Sequence, residues 1–513
     1  MTPIGAVDAR AAWLLAATFL IAIAGLIYEL IAATLSSYLL GDSVRQFSLV
    51  IGIFLSAMGL GAWLSRFVDQ AFSGFVWAQI LLGVVGGFMG PFLFLNYAWM
   101  GHVETPLYAA LITIGILSGM EIPLIARVLE QIGARKFRFE NVLSVDYVGA
   151  LVASLAFPLL VIPHLGLMSA SLVFGGLNLA VAGLSLFLFR NWATRTQVVV
   201  WAVAFAATMI ALWHSEKLVS VAEAELFEDD VILSEATPYQ KITVTRYRDR
   251  VRLFLDHSIQ FDSLDEHRYH EALVHPAMSL APRRADILIL GGGDGMAVRE
   301  VLRYPDVQSV TLVDLDPRVT QIFRDHSMLS QLNEGAFNDP RVSIINEDAW
   351  KFLERDTRIY DVTIIDLPDP KSISLSRLYT RQFYGLVVER LSAQGLMVTQ
   401  AGSPFFARQA FWSVVETLET SRNPQHPGQG LNAVPYHSYV PSFGEWGFVL
   451  TSPESVPTRD IELPEGLQYL TSAVWHAAQE FGGDMDRIAA EPNTLQSHVL
   501  TGYYLDGWDY WFR

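Results

Sequence analysis

The sequence predicts two architectures in one chain. A multi-span α-helical membrane domain comes first. An α/β domain follows, with a small β-hairpin subdomain and a doubly wound, Rossmann-like sheet. Three observations predict this. Seven apolar stretches within residues 1–214 are each long enough to cross about 30 Å of hydrocarbon as a helix. From residue 286 onward, strand-like and helix-like patterns alternate. The run Leu288–Met296, LILGGGDGM, is an apolar strand entering a glycine-rich turn, with the helix-like AVREVLRY behind it.

The apolar stretches lie near 12–39, 46–68, 75–99, 105–129, 144–162, 166–189 and 196–214, and the first is too long for a signal-peptide core. Glycines recur in them, as in Met58-Gly59-Leu60-Gly61 and Gly83-Val84-Val85-Gly86-Gly87, where small residues let membrane helices approach closely. Pro123, Pro158 and Pro163 mark kinks or ends of spans. Glu29, Glu121 and Asp146 fall inside or at the edge of apolar spans. An ionisable group there is costly, so each is a candidate for a cation path, the alternative being a structural partner such as Arg127. The expected location is the cell (inner) membrane, with the lipid bilayer as a partner. With seven spans, Arg10, Arg66, Arg127, Arg135, Lys136, Arg138, Arg190 and Arg195 share one side, and the positive-inside rule would put the second half of the chain on the other, outside the cytoplasm; a span count off by one or a failure of the rule reverses this, so the side stays open.

Charge divides unevenly. Nine of the 35 Lys+Arg and nine of the 52 Asp+Glu lie in residues 1–214, so the net −17 belongs to the second half, with 26 basic and 43 acidic residues. That disfavours nucleic acid, whose phosphates need a basic surface. It suits a cationic ligand, or solubility alone. The absence of cysteine excludes disulfides, thiolate catalysis and cysteine metal sites.

Residues 215–230 read as an acidic linker, and residues 231–264 as a β-subdomain of at most five or six short strands. Its hairpin signal is Lys241–Tyr247 and Val251–Asp256 around Arg248-Asp249-Arg250. A helix over 265–278 opens a domain reaching 455, and a helical extension occupies 456–513. His270 and His275, five apart, share a helix face poorly, and no metal-binding spacing is present, so no metal is expected. The strands are Asp286–Leu290, Ser309–Asp314, Val342–Asn346, Val362–Asp366 and Gly395–Gln400. Ligands of such sheets bind beyond the carboxyl ends of the strands, where this chain has Asp294, Asp314, Asp348 and Asp366.

The turn argues against a phosphate ligand. Met296 stands where a dinucleotide loop needs its third glycine, and Asp294 would face the phosphates. Two like charges 4 Å apart at an effective dielectric near 20 repel by roughly 4 kcal/mol. A cationic nucleoside without phosphate, of the S-adenosylmethionine kind, suits the turn instead. Asp314, about 20 residues on, stands where an acid accepts ribose hydroxyls. Asp348 either meets an adenine edge or caps the next helix. Asp366 and Asp369, in Asp366-Leu367-Pro368-Asp369-Pro370, are acids three apart on a proline-stiffened turn. One can serve as general base while the other holds a cation.

Together these residues resemble the polyamine aminopropyltransferases, the spermidine synthase family. The marks are Tyr239-Gln240, Leu255-Asp256 with Gln260, Asp265-Glu266 before Tyr269-His270-Glu271, the GGGDG turn, Asp314, Asp348, DLPDP and Gln400, over about residues 231–450. The apolar spans and the ending NTLQSHVLTGYYLDGWDYW resemble a membrane-bound branch. The resemblance implies aminopropyl transfer from decarboxylated S-adenosylmethionine, a co-substrate rather than a tightly bound cofactor, to a polyamine such as putrescine. It implies Gln240, Gly291, Gly293, Asp314, Asp348 and Ala349 on the nucleoside, Asp366 as base, and Tyr269, His270, Asp294, Asp369 and Gln400 on the amine side. A homodimer through the soluble domain is a further expectation.

Three features depart from the family pattern. Lys371–Tyr379 replaces a small Gly-Pro segment, Ala349 replaces a glycine, and Pro441-Ser442-Phe443-Gly444 replaces a Pro-Thr-Tyr context. Two alternatives stay open: an S-adenosylmethionine-dependent methyltransferase, and a membrane polyamine transporter or sensor with a non-catalytic binding domain.

Overall fold

A computed structural model describes residues 4–40, 43–100, 103–134, 139–215, 227, 229–457 and 460–512. Most of the expected linker, 216–226 and 228, lies outside the described residues, as do Arg135, Lys136 and Arg138. The chain forms two units, Met1–Val231 and Ile232–Arg513.

The first unit is a helical bundle: α1 (Ile4–Leu40), α2 (Ser43–Leu64), α3 (Ala71–Met100), α4 (Glu104–Gln131), α5 (Phe139–Ala156), α6 (Ile162–Leu188) and α7 (Arg195–Trp213). Six continuous helical runs among the described residues are long and apolar enough to cross a membrane, one fewer than the seven stretches in the sequence. The difference lies in the run Phe139–Leu188, which joins α5 to α6. At 50 residues it would measure roughly 75 Å if straight. It is not straight. A π-helical turn at Phe157–Val161, containing Pro158, leads to Gly166, whose φ of 66° breaks the helical path. Pro123 lies inside the continuous helix α4 rather than at an end; neighbouring helices let membrane-type helices tolerate proline. α7 starts at a capping box, where Thr194 Oγ1 accepts from Gln197 N at 3.2 Å and Gln197 Oε1 from Thr194 N at 3.0 Å.

Glycines set the helix spacing. A Cβ on Gly119 of α4 would lie 2.0 Å from Met58 O of α2, and one on Gly61 of α2 would lie 2.0 Å from Ile116 O. A Cβ on Gly175 of α6 would lie 2.5 Å from Gly87 Cα of α3, whereas Gly59 has open space. The close-packing reading therefore holds at Gly61 and Gly87 and fails at Gly59.

The second unit starts with a four-stranded sheet in order β1-β2-β3-β4: Asp230–Ala236, Lys241–Tyr247, Arg250–Leu255 and Ser258–Asp262. Asp256 and His257 both take positive φ, 48° and 65°, in the two-residue turn between β3 and β4, as a tight hairpin demands.

A seven-stranded mixed sheet follows, in order β10-β11-β9-β8-β5-β6-β7. Its strands are β5 (Asp286–Gly291), β6 (Ser309–Asp314), β7 (Val342–Asn346), β8 (Tyr360–Asp366), β9 (Leu391–Gly402), β10 (Asn432–Val440) and β11 (Gly444–Ser452). Strands β5 to β9 are mutually parallel; β10 and β11 join antiparallel beyond β9. The order reverses at β5, so a crevice opens beyond the carboxyl ends of β5 and its neighbours. β5 and β8 are fully buried along most of their length, which explains their nearly continuous apolar runs. The segment beyond 455 packs into the same unit: Leu500 and Tyr504, on the helix Val499–Phe512, are buried among Phe411, Val415 and Tyr379.

Candidate active site

The parallel register brings the glycine turn and the DLPDP turn together. Gly291 pairs with Asp366 at the ends of β5 and β8, and Gly292 N donates to Asp366 O at 3.1 Å. Gly291, Gly292 and Gly295 have φ of 85°, 65° and 81°, a region that costs glycine little. A Cβ on Gly291 would sit 2.0 Å from Asp366 O, and one on Gly293 would sit 2.6 Å from Asp314 Oδ2. The turn thus touches two of the expected acids.

Asp366 receives a 2.7 Å hydrogen bond from Tyr269 Oη. Tyr269 and His270 are buried on the helix Glu266–Leu280. His270 Nδ1 meets Glu266 Oε2 at 2.7 Å, and Arg299 grips the same carboxylate with both terminal nitrogens, at 2.9 and 3.0 Å. Burial would raise the Glu266 carboxyl, but His270 and Arg299 outweigh it and hold it at about 2. Burial likewise opposes the charged form of His270, yet Glu266, with Asp294 and Asp366, raises the imidazole to about 9. His270 is therefore a cation at neutral pH.

Burial dominates the remaining acids. It lifts Asp294 to about 6, against the opposing charge of His270. It lifts Asp314 to about 7, and raises Asp366 against His270 and the Tyr269 hydroxyl. Asp294 and Asp314 thereby titrate near neutrality, and a carboxyl raised by burial is suited to exchanging protons.

Beside them, Gln400 Nε2 donates to Leu367 O at 2.8 Å and to Tyr379 Oη at 2.6 Å. It also lies 3.4 Å from Asp369 Oδ1, whose Oδ2 accepts from Tyr504 Oη at 2.7 Å.

The residues expected on the nucleoside side occupy the flank. Asp314 Oδ1 accepts from Asp316 N at 2.9 Å. Gln240 Nε2 and Thr237 Oγ1 both donate to Asp316 Oδ2, at 3.2 and 2.7 Å. Asp348 caps the helix Ala349–Arg355, accepting from Lys351 N at 3.2 Å, and forms an ion pair with Arg377. Both basic residues of the loop 371–379 have internal partners, since Lys371 Nζ donates to Ser258 Oγ at 2.6 Å.

Sequence reasoning missed Asp316 and Tyr504. Asp316-Pro317 carried a helix-start signal, an N-cap acid before proline. Tyr504 carried none, because only the fold brings it to Asp369.

The spermine/spermidine synthase domain family matches residues 266–460. A polyamine aminopropyltransferase of Leptospira interrogans is 40% identical over 94% of this chain and 96% of its own length. Polyamine aminopropyltransferase 2 of Ralstonia nicotianae is 41% identical over 97% of this chain and 98% of its own. The chain belongs to the polyamine aminopropyltransferase family. The relatives span both units, so the helical bundle is part of what these aminopropyltransferases share in length. A crystal structure of spermidine synthase from Thermotoga maritima aligns at TM-score 0.44 and 26% identity, over 49% of this chain and 85% of that one.

Proposed function

We propose that this aminopropyltransferase moves an aminopropyl group from decarboxylated S-adenosylmethionine to a polyamine, putrescine being the first candidate, while its helical bundle sits in the cell membrane. The observation that carries the reading is the Tyr269–Asp366–His270–Asp294 group at the glycine turn: carboxylates raised by burial, gathered where a cationic nucleoside and an amine would meet.

In this reading Asp314 accepts the ribose hydroxyls, and Gln240 stands beside it through Asp316. Gly291 and Gly293 let the nucleoside approach the backbone. Asp348 and the N–H of Ala349 face the adenine; the first N–H groups of a helix lack internal partners. Asp294 holds the aminopropyl ammonium, and Asp369, Gln400, Tyr269 and His270 line the amine side.

An ammonium has no lone pair, so the acceptor must first lose a proton. Asp366 takes it. The neutral nitrogen then forms a bond to the carbon beside sulfur, the C–S bond breaks with its electron pair going to sulfur, and methylthioadenosine leaves. Aligning the reactants supplies much of the rate. Family membership favours this transfer over methyl transfer, which the fold alone leaves open.

The test is to incubate the detergent-purified protein with decarboxylated S-adenosylmethionine and a panel of di- and triamines. Methylthioadenosine together with an amine one aminopropyl unit longer supports the reading and identifies the acceptor. Neither product, with nucleoside or polyamine still bound, sinks it in favour of a binding or sensing role.

A further inference from the structure

Glu121 lies in the middle of the helical bundle at 5% exposure. Its Oε1 accepts a hydrogen bond from Gln79 Nε2 of α3. Arg127, the counter-charge the sequence offered, is used elsewhere: Nη1 donates to Ser65 O at 3.1 Å and Nη2 to Asp69 O at 3.2 Å. Among the described residues no Lys, Arg or His pairs with Glu121.

Neighbouring side chains of the bundle carry buried oxygens without partners, two amide carbonyls and one hydroxyl. Gln79 Oε1, Ser118 Oγ and Asn178 Oδ1 are buried without a hydrogen-bond partner. Gln79 is in contact with Glu121, and Ser118 lies one turn before it on α4. Asn178 of α6 donates to Tyr28 Oη of α1 at 3.0 Å, and Tyr28 lies within electrostatic reach of Glu121, as does Asp146 of α5. Side chains from α1, α3, α4, α5 and α6 are thus linked to Glu121 by hydrogen bonding, by position or by electrostatic reach. Gly86 makes room for Tyr28, since a Cβ there would lie 2.6 Å from Tyr28 Cζ.

Unpaired oxygens and a carboxylate in an apolar interior are costly. A proton on Glu121 cancels its charge but donates to one acceptor and leaves the others unsatisfied. A monovalent cation cancels the charge and gathers several oxygens at once. Glu121 is the carboxylate bonded to these neutral side chains, while Asp146 reaches it through electrostatics alone, so the contact balances one positive charge and argues against a divalent ion. We propose that the bundle binds a single monovalent cation through Glu121, Gln79, Ser118 and Asn178, separately from the aminopropyl-transfer site. An alkali-metal ion and a primary ammonium share this chemistry, the latter bringing three donors.

The test measures thermal stability of the full chain in detergent, at fixed pH and ionic strength, in NaCl, KCl, choline chloride, and choline chloride with putrescine. Wild type, Glu121→Gln and Ser118→Ala are compared. The expected result is a saturable rise in melting temperature over choline that Glu121→Gln removes, with a midpoint several-fold higher in Ser118→Ala. A rise in NaCl or KCl identifies an alkali ion; a Glu121-dependent rise in putrescine alone identifies an ammonium. Equal behaviour in all four media, or a cation response that survives Glu121→Gln, overturns the proposal. If Glu121→Gln does not fold, an unchanged midpoint in Ser118→Ala overturns it.

Discussion

Tyr269 donates a 2.7 Å hydrogen bond to Asp366. The hydroxyl favours the ionised carboxyl, while burial favours the protonated one and prevails. Tyr269→Phe therefore raises Asp366 further and moves the acid limb of the kcat/KM–pH profile toward alkali. A hydrogen bond to a charged group is worth about 1.5 kcal/mol or more, or roughly one pH unit. An unmoved acid limb would show that Asp366 is not the titrating base.

Asp366→Asn keeps the shape and removes the basic group. Turnover is expected to drop by about a hundredfold or more, within the range of general-base catalysis, with the melting temperature close to wild type. Near-normal turnover in the folded variant would reject Asp366 as base.

Asp294 and Asp314, lifted to about 6 and 7, lose their charge early as the pH falls. Nucleoside affinity is thus expected to weaken below pH 7, well above the ordinary carboxylate range. Calorimetric titration with decarboxylated S-adenosylmethionine between pH 8 and pH 5 measures it, and a flat affinity would contradict the assigned contacts.

The buried Glu266–His270 pair links stability to pH at both ends. Glu266 is depressed to about 2, so its contribution is present above the unfolded value of 4.5 and is lost as pH falls toward 2. His270 is raised to about 9, so its contribution is complete below 6.5 and is lost as pH rises through 9. His270→Gln should remove the alkaline part, on the order of 3 kcal/mol. Denaturation at pH 6 and pH 9.5 checks this: the variant's stability should differ less between the two than that of wild type.

Tyr504 holds Asp369 from the helix Val499–Phe512. Tyr504→Phe is expected to raise KM for the amine roughly tenfold, from one hydrogen bond to a charged group, and to leave KM for the nucleoside unchanged. Equal rises in both would assign Tyr504 to general packing.

Much of this was legible in the sequence because it is periodic or local. The five parallel strands follow from their apolar runs, and the Asp294 turn follows from glycine spacing and charge. What stayed hidden depends on distant segments meeting. Nothing local to Tyr504 points to Asp369, and Gln79 reads as one polar residue in an apolar span until the bundle sets it against Glu121. The stretches 144–162 and 166–189 looked separate because Pro158 and Pro163 resemble punctuation; a π-turn carries the helix through them as far as Gly166.

The contact between Gly291 and the Asp366 carbonyl has a consequence for how the site tolerates mutation. Any side chain at 291 would press on the backbone of the proposed base, so a change in the turn displaces position 366 as well. The two positions, 75 residues apart by the numbering, cannot drift independently: a substitution at 291 survives only if the end of β8 moves with it. Variant libraries should therefore recover changes at 291 only alongside compensating changes near 366, even though the side chains of these residues have no shared chemistry.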